Sequence, residues 1–172
     1  TKYKRTYIFD TYELIETKFK PYKKIDKNLS ILISTSGSSG NIKYVALSKN
    51  NILANTNSIT KYLKLHKKDK TITTLNLNYS FGFSIINTHI KSGSSIVVTN
   101  KSLFEKEFWT LFKNNAITSF YGVPSTFQML EKIKFFNLKK INLRFLAAAG
   151  GKLDSALLKY FTKKSLKKKI DF

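Results

Sequence analysis

Ser34-Thr35-Ser36-Gly37-Ser38-Ser39-Gly40-Asn41-Ile42-Lys43 is the stretch whose residue types could do chemistry. Glycines let a backbone turn tightly and approach a ligand closely. Successive N–H groups then converge on one concavity, hydroxyls add donors, and Lys43 supplies a positive charge. That inventory suits phosphate oxygens, each charge-assisted hydrogen bond being worth on the order of 1.5–3 kcal/mol. Apolar runs bound the stretch, Ile31-Leu32-Ile33 before it and Val45-Ala46-Leu47 after it. The competing reading is a Ser/Gly linker or an expression tag. A linker is not bounded on both sides by β-type runs, and a tag sits at a terminus. The spacing is not that of a Walker loop, because Lys43 lies three residues after Gly40 rather than beside it. Nor is it a dinucleotide-binding fingerprint.

Read as T-S-G-S-S-G-N-I-K-Y-V-A-L-S, residues 35–48 resemble the phosphate loop of the AMP-forming acid ligases. That family holds acyl-CoA synthetases, non-ribosomal peptide adenylation domains and luciferases. Thr35 to Gly40, Lys43, Val45, Leu47 and Ser48 follow its pattern, whereas Ile42, Tyr44 and Lys49 replace the usual proline, glycine and histidine. Further segments resemble the family in the same order: Leu77-Asn78-Tyr79-Ser80-Phe81-Gly82, Val123-Pro124-Ser125, and Leu143-Arg144 through Gly150-Gly151-Lys152-Leu153.

The resemblance implies the following expectations. Thr35, Ser36, Ser38, Ser39 and Lys43 hold the β- and γ-phosphates of ATP, Gly37 and Gly40 permit the backbone approach, and Thr35 sits beside Mg²⁺. Gly150 and Gly151 border the adenine, while Tyr79, Phe81 and Gly82 line the pocket of the acid. The reaction is attack of a carboxylic acid, such as a fatty acid, on ATP to give acyl-AMP and pyrophosphate. Transfer to coenzyme A or a phosphopantetheine carrier then follows. The family's Y-G-x-T-E and S/T-G-D motifs and its C-terminal lysine are not in this sequence. The chain is therefore expected to be an internal slice of the large N-terminal domain, with no catalytic residue of its own and no turnover alone. As residues alone, Tyr79 and Phe81 read equally well as core aromatics, and Gly150 and Gly151 as helix-start glycines.

The formal charge is +21 over 172 residues, and all but two of the 31 basic residues, Arg5 and Arg144, are lysine. Such a charge fits a nucleic acid or an anionic surface, and a non-catalytic lysine-rich binding module is the alternative to a ligase. Nucleic-acid readers favour arginine for bidentate contacts, so compositional drift toward Lys, Asn and Ile explains the charge better. The lysines of residues 163–169 read as a solvated helix end. There is no cysteine, hence no disulfide or thiolate site. No run approaches the ~20 apolar residues that span a bilayer, and a cytoplasmic chain is expected. A chain opening on Thr1 reads as starting at an internal cut or a processed end. His66 and His89 have no partner at ligand spacing and read as structural or surface residues. The ten carboxylates read as scattered and unpaired.

These groups need a scaffold. Residues 1–30 read as an irregular, lysine-rich lead-in with one short strand near Thr6–Phe9, and residues 31–172 as a partial ATP-binding domain. Strands are expected at 31–34, 44–47, 71–77, 95–99, 117–120 and 143–147. Ser48 caps a helix over 49–65 striped by Ile52, Thr56, Ile59 and Leu63. A helix follows over 81–90, ending near Gly93. Ser102-x-x-Glu105 reads as a capping box opening a helix over 103–114, with Phe104, Phe108, Leu111 and Phe112 on one face. Pro124 opens the next helix, with Phe127, Leu130 and Ile133 on one side, and Leu153, Leu157 and Phe161 mark the last. Strands alternating with amphipathic helices predict an α/β fold with a mostly parallel sheet. Ligands bind such sheets at the carboxyl ends of strands, which singles out the loops at 34–43, 78–82 and 148–152. Exposed strand edges would favour self-association.

Overall fold

The computed structural model describes residues 3–8, 13–18, 24–35, 43–76 and 79–172. Tyr3–Ile8 (β1) and Glu13–Thr17 (β2) pair antiparallel, so the stretch read as an irregular lead-in contains a hairpin. Leu29–Thr35 (β3) and Lys43–Ser48 (β4) form a second antiparallel pair. Ser48 then caps Lys49–Tyr62 (α1) as expected: Asn51 N–H donates to its Oγ (3.2 Å), and its own N–H donates to Asn51 Oδ1 (3.0 Å).

From there strand and helix alternate: Lys70–Ile72 (β5), Ser80–Ser92 (α2), Ser95–Val97 (β6), Lys106–Asn114 (α3), Ser119–Gly122 (β7), Pro124–Lys132 (α4), Phe145–Ala148 (β8) and Ser155–Lys168 (α5). The four strands form one parallel sheet in the order β6-β5-β7-β8, as the alternation predicts. The order places a topological switch between β5 and β7.

Alternation along the strands sends successive side chains to opposite faces. Phe120 and Leu146 face one side with Phe108, Phe112, Phe127, Phe135 and Phe161, under α3, α4 and α5. Tyr121 and Phe145 face the other with Leu65, Phe81 and Ile85, under α1 and α2. The result is three layers, with aromatic rings filling one interface. Among the described residues no helix is long and apolar enough to cross a membrane.

Two expected elements shift for identifiable reasons. The strand predicted over 71–77 ends at Ile72 because side chains take over the ladder. Thr73 Oγ1 donates to Thr99 O and accepts from Thr99 N–H (3.0 and 2.9 Å), and Thr74 Oγ1 donates to Tyr121 O (2.7 Å). Only half of the Ser102–Glu105 box forms: Ser102 N–H donates to Glu105 Oε1 (2.6 Å), but Ser102 Oγ accepts Phe104 N–H (3.3 Å) rather than that of Glu105, and the pair closes a turn rather than opening a helix. Glu105 itself has the extended backbone of an N-cap, so α3 starts after it and Phe104 is left 61% exposed.

Asp69 corrects the reading of unpaired carboxylates. It is 1% exposed and held bidentately by Arg144, Nη2 to Oδ2 at 2.8 Å and Nε to Oδ1 at 3.1 Å. His66 N–H (3.0 Å) and Thr118 Oγ1 (3.1 Å) also donate to it. Burial alone would raise its pKa, but the hydrogen bonds from Arg144 and His66 outweigh that and hold the carboxyl below its ordinary value. The guanidinium also donates to Leu63 O and Lys64 O, tying off the end of α1. This network sits at the amino ends of β5, β7 and β8.

His89 is structural, as expected. Its Nδ1 bonds Ile85 O (2.8 Å), its Nε2 bonds Ser119 Oγ (3.3 Å), and its ring meets Tyr121 edge-on at 5.5 Å. Burial lowers its pKa against the opposing pull of the Ile85 carbonyl.

Gly122 carries a role invisible in sequence. A Cβ there would lie 2.7 Å from Thr126 Cγ2 and 2.8 Å from Thr126 Cβ. Thr126 cannot swing away freely, because its hydroxyl accepts Val123 N–H (3.2 Å) at the start of α4. Gly122→Ala is expected to cost about 2 kcal/mol through overpacking. Urea unfolding checks this, and a loss below about 0.5 kcal/mol would show that the α4 turn relaxes at little cost.

Candidate active site

The carboxyl ends of β5, β7 and β8 open into a crevice of about 650 Å³ lined by Leu75, Asn76, Tyr79, Val123, Pro124, Ser125 and Gly150. It lies at the switch point between β5 and β7, where a parallel sheet of this order leaves room for a ligand.

Gly150 and Gly151 are there because the loop after β8 runs hard against the loop after β7. Gly150 has φ +81°, and a Cβ on it would stand 3.1 Å from Val123 Cγ1 and 3.7 Å from the Tyr79 hydroxyl. A Cβ on Gly151 would stand 3.1 Å from Pro124 Cγ. Neither glycine starts a helix. α5 begins beyond them, with Asp154 as its N-cap accepting Leu157 N–H at 2.8 Å.

Tyr79 occupies the N-cap position of α2, 43% exposed, with its hydroxyl toward Gly150. Of the three residues expected to line an acid pocket, it alone lines the crevice. Phe81 turns into the α1/α2 layer and meets Tyr121 edge-on at 6.2 Å, and Gly82 is buried within α2. A helical backbone at residues 80–82 forces this, because residues two apart point to different sides of the helix. The N-termini of α2 and α4 both border the crevice, and neither carries an acidic residue in its first turn. Their dipoles favour an anion there.

Of the residues expected to bind phosphate, Ser36, Gly37, Ser38, Ser39 and Gly40 lie outside the described residues. Thr35 and Lys43 are placed: they are the paired residues that end the β3–β4 ladder. The strands that flank residues 36–42 therefore form a separate antiparallel pair and are not part of the parallel sheet. The β3–β4 hairpin borders the α1/α2 layer, where Ile33 and Leu47 line a small cavity with Thr56, Ser80, Phe83 and Ser84. It thus sits against the same end of α2 that presents Tyr79 to the crevice. No three His, Cys, Asp or Glu side chains converge among the described residues. The described part thus offers a divalent ion no carboxylate cage.

The family model described as "AMP-binding enzyme" matches residues 5–170. The chain belongs to the AMP-binding enzymes. Solved structures share the fold. VinN in complex with L-aspartate is 20% identical with a TM-score of 0.69, over 83% of this chain and 36% of that one. The inhibitor-bound N-terminal domain of FACL13 from Mycobacterium tuberculosis is 18% identical with a TM-score of 0.67, over 81% and 34%. O-succinylbenzoate coenzyme A synthetase (MenE) from Bacillus subtilis in complex with AMP is 21% identical with a TM-score of 0.66, over 78% and 27%. No curated protein matches. This AMP-binding chain spans about a third of the length of these structures.

Sequence reasoning missed Asp69 and Gly122 altogether. Arg144 fell within the segment 143–153 but gave no sign of its partner, which is 75 positions away. Gly122 gave no sign either, because its need arises from the packing of α4 onto β7.

Proposed function

We propose that this chain carries the ATP phosphate loop and part of the acid and adenine site of an AMP-forming ligase. In that reaction a carboxylate oxygen of the acid bonds to the α-phosphorus of ATP while the α–β bridging bond breaks and pyrophosphate leaves. The thiol sulfur of coenzyme A or of a carrier phosphopantetheine then bonds to the acyl carbon while the acyl–phosphate bond breaks, AMP leaves and the thiol proton is released. The carboxylate is already ionised at neutral pH, so no general base is needed, and the work of the protein is positioning and charge stabilisation. In this reading the hydroxyls of Thr35, Ser36, Ser38 and Ser39 and the Lys43 ammonium hold the departing β- and γ-phosphates. Gly150 and Gly151 form the side of the crevice facing the adenine. Tyr79 borders the acid.

The observation that supports it most is the crevice itself. It opens at the switch point, between two helix N-termini without acidic first-turn residues, and is closed on one side by Gly150 against Val123. The neighbours are solved with ligands of the right kinds, L-aspartate in VinN and AMP in MenE.

Calorimetry of Mg-ATP binding, at low and moderate salt, tests the reading. Saturable binding that survives salt is expected. Lys43→Ala should weaken it by about 2 kcal/mol, roughly thirtyfold, the worth of a hydrogen bond to a charged group. Binding that ignores Lys43 and vanishes with salt would instead be diffuse lysine attraction.

A further inference from the structure

α5 differs from the other helices in its charge. Lys159, Lys163, Lys164, Lys167 and Lys168 lie on it, Lys169 ends it, and no acidic residue falls between Ser155 and Ile170. Its buried face is Leu157, Phe161 and Ser165. Residues four apart stack on one side of a helix, so two ridges run side by side along the exposed part of α5, the first adjoining the buried face, where Leu158 lines the cavity beside β8, and the second across from that face. One is Leu158, Thr162 and Leu166; the other is Lys159, Lys163 and Lys167. All six are exposed, Leu158 by 47% and Leu166 by 78%. The 3₁₀ turn Phe135–Asn137 packs alongside, with the Phe136 ring 5.4 Å from Phe161 and 6.1 Å from Tyr160. Exposed Lys134 and Lys139 flank that turn.

We propose that this face of α5 docks the chain on an anionic lipid surface. A helix with a basic ridge beside an apolar one lies in the plane of a membrane interface, leucines at the headgroup–acyl boundary and lysine stems reaching outward to phosphates. Leucines standing in water have no use on a phosphodiester backbone, which distinguishes a membrane from a nucleic acid. Arginine, the residue of bidentate base and phosphate recognition, is absent from α5, and Arg144 is engaged by Asp69. A second copy of the chain, at +21, would be repelled. α5 starts beyond the loop that borders the crevice and leads away from it, so docking leaves the crevice open. The inference does not depend on the nucleotide reading.

Co-sedimentation of the full chain with vesicles tests it, using phosphatidylcholine alone against phosphatidylcholine with about a third phosphatidylglycerol. Binding to the anionic vesicles only is expected. Lys159→Glu with Lys163→Glu and Lys167→Glu should weaken it about a hundredfold. Leu158→Ser with Leu166→Ser, which leaves the charge unchanged, should weaken it about tenfold. Lys49→Glu with Lys91→Glu and Lys113→Glu, an equal charge change on other helices, should weaken it far less. All of these positions are exposed, and circular dichroism verifies that each variant folds. No binding to anionic vesicles, or equal losses for the two lysine sets, would overturn the proposal. So would indifference to the two leucines, above all if duplex DNA bound more tightly than the vesicles did.

Discussion

Replacing Asp69 by alanine is expected to lower the unfolding free energy by about 3 kcal/mol, the lower end of the cost of breaking a buried ion pair. The carboxylate is 1% exposed and accepts from Arg144, Thr118 and the His66 backbone, which precede three of the four sheet strands. Its removal takes the shared acceptor away from all of these donors at once. Arg144 keeps its bonds to Leu63 O and Lys64 O and is partly exposed, so the loss should not reach the upper end. At this chain length the melting temperature should fall by roughly 10 °C.

The same pair sets a pH dependence. Because the pKa of Asp69 is lowered in the folded state, the stability it contributes is fully present above its unfolded value of about 3.9 and is lost as pH falls through the lower folded value. Urea titrations below about pH 4 should show wild type losing stability faster than Asp69→Asn. A variant within about 1 kcal/mol of wild type at neutral pH would mean that the pair is dispensable.

Phe120→Ala should cost about 4 kcal/mol, within the range for deleting a buried aromatic ring. Phe120 is 0% exposed, at the centre of β7, with its ring 6.5 Å from Phe108, 6.0 Å from Phe112 and 6.4 Å from Phe135. The cavity would open where sheet, α3 and the 3₁₀ turn meet, and no neighbour is small enough to close it by rotation alone. Phe104→Ala, one turn before α3, should change stability by less than about 0.5 kcal/mol because that ring is in water. Chemical denaturation of both variants separates the readings. Equal losses would mean that Phe104 packs after all.

The contrast between these phenylalanines shows where a one-dimensional pattern stops. Phe104, Phe108, Leu111 and Phe112 share a helical stripe on paper, and the stripe holds for Phe108, Leu111 and Phe112. Phe104 drops out because Glu105 is spent on the turn before α3. Whether a capping pair opens a helix or closes a turn is decided by the backbone angle of one residue, which the pattern does not encode.

Tyr79, Phe81 and Gly82 make the same point for the site. They are contiguous and were read together, yet the helix that begins at Ser80 points Tyr79 to the crevice and the other two inward. Loops 78–82 and 148–152 reach the carboxyl ends of the sheet as alternation predicts. The strands that flank residues 36–42 pair with each other and not with the sheet, and those residues themselves lie outside the described ones.

The alternation of strand and helix, the caps at Ser48 and Pro124, the left-handed stop at Gly93 and the family resemblance were all legible in the residues. Each depends on contacts within a few positions, or on short motifs. The strand order, the bidentate hold of Arg144 on Asp69 and the close approach that demands Gly122 and Gly150 were not. Those contacts join residues tens of positions apart or depend on the shape of the opposing surface, and only the folded chain brings the partners together.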